Sequence, residues 1–81
     1  MAQDSNAFGQ KLRTLRVEAG FDTQEAAAAA LRSRGVKVSA RSVGMYETGR
    51  AKPPYKTLHA IAGLYGASYS QLSLLAADGA R

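Results

Sequence analysis

Gly20, Gly35, Gly49 and Gly66, together with the consecutive prolines 53 and 54, cut this 81-residue chain into pieces too short for anything but brief helices and the turns between them. Between those breaks the periodicity is helical. Phe8, Leu12, Leu15 and Ala19 recur three or four apart ahead of Gly20, so a first helix is expected over roughly Asn6 to Ala19. Thr23 can cap a second helix with its hydroxyl, and Gln24 to Arg34 follows with no Gly, Pro or β-branched residue. Its five alanines, Ala26 to Ala30, serve either helix propensity alone or the close approach of a neighbouring element. Val36, Lys37 and Val38 alternate too briefly for a strand, and Ser39 then caps a third helix, Ala40 to Thr48, that stops at Gly49. Arg50 to Pro53 is a basic loop. Leu58, Ile61, Ala62 and Tyr65 form the buried stripe of a fourth helix, with Leu64 on its shoulder and Gly66 as its stop. Ser68 and Gln71 have capping-box spacing for a fifth, whose Leu72 and Leu75 face inward. The expected fold is all-α, five short helices in a single domain over residues 1–81.

Composition narrows the chemistry. A chain of this size buries only about 60% of the surface it exposes when unfolded. It has no cysteine and one histidine, so neither a disulfide nor a metal site of the usual kind can staple it, and no cofactor is expected. No apolar run approaches the roughly 20 residues of a bilayer span. Met1 to Asn6 is too polar for a signal peptide, which makes the expected location cytoplasmic. His59 has no Ser, Cys or paired carboxylate at an interpretable spacing, and no phosphate-binding glycine loop is present, so nothing supports an enzyme.

The net charge of +5 is unevenly placed. From Arg32 to Lys56 seven Lys and Arg face the single acid Glu47, a net +6, whereas the rest of the chain has four cations against five acids, a net −1. A basic segment so confined either attracts a polyanion, most often nucleic acid, or is a solvated face.

Wound as a helix, residues 39 to 49 separate into two faces. Val43, Tyr46 and Glu47 share one side; Ala40, Arg41, Gly44, Met45 and Thr48 share the other. The second side joins a long cation, a thioether and two residues with almost no side chain, a surface suited to insertion into a groove. Gly44 in mid-helix costs on the order of 1 kcal/mol relative to Ala, so either something approaches closely there or the glycine is simply tolerated.

Thr23-Gln24-Glu25, then Ser39, Val43, Tyr46-Glu47-Thr48-Gly49 and Pro53, resemble the pattern of the lambda Cro and repressor-like, XRE-type helix-turn-helix family, over about Phe8 to Leu75. The resemblance implies that the third helix enters the DNA major groove while the second crosses the backbone with its N-terminus on a phosphate. It pairs Glu47 with Arg16. One departure stands out: from Arg32 to Val38 the connection exceeds the usual 3–4-residue turn, which adds Arg34 and Lys37 near the DNA side.

In this frame Ala40, Arg41, Gly44 and Met45 are the candidate base contacts. Arg41 can donate two bonds to guanine or meet a phosphate, and Met45 can lie against a thymine methyl or serve dimerisation. The candidate phosphate contacts are Gln24, Ser39, Arg34, Lys37, Thr48, Arg50 and Lys52, with Arg34 and Lys37 alternatively plain solvated cations. The expected partners are double-stranded DNA and a second copy of the chain, through the fifth helix and the tail, where Tyr69 and Leu74 offer surplus apolar surface. An antitoxin bound to a toxin, and a coactivator-like protein-interaction module, are the alternatives on the same fold. Membrane binding is not expected, because the basic helices lack a broad apolar face opposite their cations.

Overall fold

The computed structural model describes residues 7–79, with side chains to residue 76. Its elements are α1 (Ala7–Glu18), α2 (Gln24–Ser33), α3 (Ala40–Thr48), α4 (Tyr55–Tyr65) and α5 (Tyr69–Gly79), five helices and no strand among the described residues. The caps fall where short polar residues precede apolar ones. Thr23 Oγ1 accepts from the Ala26 N–H at 3.0 Å, and Ser39 Oγ accepts from the Ser42 N–H at 3.1 Å. Pro54 begins α4 without a side-chain cap, its ring already fixing the backbone at φ −60°. Gly49 ends α3 at φ +81°, a conformation that a residue with a Cβ adopts only under strain.

Three local expectations are corrected. α1 ends at Glu18, and Ala19 is exposed; Arg16, not an apolar residue, takes the inward position one turn beyond Leu12. α2 ends at Ser33, with Arg34 as its cap, because the Gly35 N–H turns back to Arg32 and the Val36 N–H to Leu31. The capping box of α5 is half formed: the Gln71 N–H reaches Ser68 Oγ at 3.4 Å, with no return bond from the Gln71 side chain among the described residues. Asn6 lies outside the described residues.

The helices share one core. α3 packs against both α1 and α2, α4 against α5 and α2, and α5 returns to α1. Ala27 and Ala28 are wholly buried while Ala26 and Ala29 are exposed, so the alanine run lets a neighbour approach on one side and supplies helix propensity on the other. α4 contributes the most apolar burial through Leu58, Ile61, Ala62 and Tyr65. Val38 is buried too, although it lies in the connection rather than in a helix. No helix among the described residues is long and apolar enough to cross a membrane.

Leu31 is 0% exposed and sits where the alanine face of α2 meets the other helices. Leu31→Ala is expected to cost about 2–5 kcal/mol, a large part of the stability of so small a domain. Urea unfolding measures this, and a loss below about 1 kcal/mol would mean that the site collapses around the missing atoms.

Candidate nucleic-acid interface

The surface of α3 is held in place from beneath. Glu47, on the last turn of α3, and Arg16, from α1, are both buried and meet through two bonds, Nε to Oε2 at 2.6 Å and Nη2 to Oε1 at 3.3 Å. Arg16 Nη1 donates to the Phe21 carbonyl at 2.8 Å, which ties in the turn after α1. Gln24 Nε2 donates to Glu47 Oε1 at 3.1 Å, so the first residue of α2 joins the same network. Burial pushes the nearby Tyr65 phenol up to about 12, the Glu47 charge adding to the rise and Arg16 opposing it. The phenol stays neutral at ordinary pH.

That network explains Gly44. A Cβ at this position would lie 2.8 Å from Gln24 Oε1, closer than real contacts allow. The close approach inferred from the sequence therefore comes from within the molecule: the Gln24 side chain crosses over Gly44 to reach Glu47. With its amide engaged there, Gln24 has its backbone N–H at the start of α2 to offer an anion.

The remaining candidates fall as follows. Arg41 and Thr48 are exposed on α3, and Ala40 and Met45 are half-buried. The Thr48 hydroxyl donates to the Gly44 carbonyl at 3.0 Å. Ser39 accepts from the Ser42 N–H and donates to the Ser42 hydroxyl at 3.2 Å, which leaves the Ser42 proton as the spare donor at this end of α3. Lys37, Arg50 and Lys52 are exposed. Arg34 lines a cleft of about 440 Å³ with Tyr55, Lys56 and His59 of α4, so it is grouped with α4. A second cleft, of about 490 Å³, opens above the ion pair and adds Gln10 and Arg13 of α1 to Gln24 and Thr48.

Four residues escaped sequence reasoning. Ser42 could have been found from its three-residue spacing to Ser39. Gln10 and Arg13 gave no signal, because their place beside α3 depends on how α1 packs. Arg32 was counted only as charge, yet it bonds the Val38 carbonyl. Tyr69, assigned to a dimer surface, is half-buried against Tyr55 and His59, with ring centroids 5.6 and 5.0 Å away; Leu74 is 68% exposed. His59 thus has an aromatic setting, and no group of three metal-ligating side chains occurs among the described residues.

A family model described as a helix-turn-helix domain matches residues 7–75. Neither a curated protein nor a solved structure matches the chain.

Removing one partner of the buried pair leaves a charge with no counterion, so Arg16→Met and Glu47→Gln should each cost about 3–5 kcal/mol, and the double variant far less than their sum. Thermal or urea melts close the cycle; additive losses would show that the pair is not coupled. Gly44→Ala opposes two effects, a gain in helix propensity of about 1 kcal/mol and the loss of the Gln24 to Glu47 bond, worth about 1 kcal/mol. Its stability should stay within about 1 kcal/mol of the parent, with Gln24 displaced in side-chain NMR spectra.

Proposed function

Because the chain belongs to the helix-turn-helix domain family matched over residues 7–75, a DNA-binding family, we propose that it is a sequence-specific, double-stranded DNA-binding transcription regulator of the lambda repressor-like, XRE type. In this reading it is a cytoplasmic, dimeric repressor that inserts α3 into the major groove, binding rather than transforming its partner.

The observation that carries the reading is the two-sidedness of α3. Its inner side is fixed by a buried ion pair, while its outer side presents exposed Arg41 beside half-buried Ala40 and Met45, with Gly44 covered by the Gln24 side chain. A helix such as this nine-residue one is about 10–12 Å across with its side chains, which fits a major groove about 12 Å wide. Around it the exposed Lys37, Arg50 and Lys52 supply phosphate contacts that hold position without reading sequence. The Gln24 backbone N–H and the Ser39 end of α3 with its Ser42 hydroxyl complete that ring, and Thr48 joins it only by turning its hydroxyl away from the Gly44 carbonyl. Arg34, beside Lys56 of α4, supplies a further phosphate contact from that edge.

A single recognition helix covers only one half-site, and two copies would read half-sites about 34–36 Å apart. The exposed Leu74 on α5 supports pairing through that helix. Sites selected from random duplexes should therefore be palindromic.

On such a site Arg41→Ala and Lys52→Ala should behave differently. Loss of a bidentate base contact costs about 1–3 kcal/mol and relaxes preference at one base pair. Loss of a phosphate contact weakens every sequence alike and lowers the salt slope by about one per protomer. Binding to the selected site and its single-base variants, over a range of salt, separates them. Equal weakening of every site by Arg41→Ala would remove Arg41 from base readout, and a protein with no sequence preference would favour the protein-interaction alternative.

A further inference from the structure

The connection between α2 and α3 has to place the recognition helix without the short turn that usually does so. Its first part is conventional: the Arg34, Gly35 and Val36 N–H groups all turn back onto the end of α2. After Val36 no backbone hydrogen bond is made among the described residues until the Ser39 carbonyl accepts from Val43, already inside α3. Across that gap the chain is held by the buried Val38 side chain and by one polar contact, from Arg32 Nη1 to the Val38 carbonyl at 3.0 Å. Arg32 is aimed by Glu25, two turns earlier on α2, whose Oε2 lies 2.7 Å from Nη2. The pair is 44% and 62% exposed, so its ionic part contributes little to stability. Its placement matters more, because Val38 directly precedes the Ser39 cap.

We propose that Arg32 is a positioning residue for DNA recognition: it clamps the entry of α3 through the Val38 carbonyl and so fixes the depth at which Arg41 meets the bases. The inference rests on the DNA-binding reading above. α3 is pinned by polar contacts at two places, Glu47 near its end and Val38 just before its start. The helical stretch between them, Ala40 to Glu47, rises about 10.5 Å, so a swing of about 10° around the Glu47 pin moves the entry by on the order of 2 Å. A base-edge hydrogen bond does not survive such a shift, whereas phosphate contacts by long, solvated side chains adjust to it. Arg32 is suited to the task because its forked donors reach Glu25 and the carbonyl together; a lysine ammonium can satisfy only one of them well.

The experiment compares the parent with Arg32→Gln, Arg32→Lys and Glu25→Gln by two readouts. Amide hydrogen exchange in the free proteins should be several-fold faster at Ser42 and Val43 in Arg32→Gln, unchanged at Tyr46 and Glu47, and intermediate in Arg32→Lys and Glu25→Gln. On DNA, Arg32→Gln should narrow several-fold the affinity ratio between the selected site and the variant at the base pair that Arg41 reads. Its affinity for random duplex and its salt slope should hold. Unchanged exchange at Ser42 and Val43 overturns the clamp. Equal weakening on all sequences with a slope smaller by about one makes Arg32 a phosphate ligand and overturns the positioning role. A parent protein with no sequence preference removes the recognition role itself, and the exchange rates then still decide whether Arg32 holds the helix.

Discussion

The bidentate contact between Arg16 and Glu47 is the interaction on which the arrangement of α3 depends. This helix has only two buried residues, Val43 and Glu47. Val43 and the half-buried Tyr46 pack against the core, but apolar contact is non-directional and sets the rotation of the helix only loosely. A carboxylate that must accept from a guanidinium and from the Gln24 amide has no such freedom. The desolvation of two charges is costly, so the pair is weak evidence for stability as such. What it supplies is rotational setting: it decides which row of α3 faces outward, and through Phe21 and Gln24 it sets the turn after α1 and the start of α2 by the same contact.

Burial and orientation are thereby assigned to different helices. α4, with five buried residues, anchors the core and carries no part of the proposed base-reading row. α3 adds little to the core and is placed by polar contacts at each end. Tyr65 joins the two systems, since its ring is buried with the α4 stripe while its phenol feels the charges of Glu47 and Arg16. A change that weakens the α4 stripe should lower stability throughout the domain, whereas a change among the polar contacts should alter how α3 is presented.

Elements whose cause is local were legible in the sequence. Thr23 and Ser39 are caps because a short hydroxyl side chain can reach a free N–H three residues on, and glycine stops follow from backbone sterics; both are properties of adjacent residues. The inner face of α3 followed from helical spacing, and the pairing of Arg16 with Glu47 from the family resemblance. What escaped depends on three-dimensional packing. Gly44 signalled a close approach, but no spacing rule says that the approaching group is Gln24, twenty positions away. Val38 resembles a linker residue until the turn folds it inward. Tyr69 appeared surplus because its partners, Tyr55 and His59, lie on another helix. Arg32 was indistinguishable from the other cations of its segment, since a bond to a backbone carbonyl leaves no mark in composition.

The division of α3 into an inner row and an outer row has an evolutionary consequence. Exposed Arg41 and half-buried Ala40 and Met45 take no part in the polar network that orients the helix, so under the proposed function exchanges there would redirect the protein toward other DNA sites while leaving the scaffold intact. Gly44 sits on the boundary: any larger residue must first displace Gln24. A lineage of such proteins could therefore diverge in target through a small alphabet at three positions, with the glycine between them as the point where a new target would demand a new way of holding the helix.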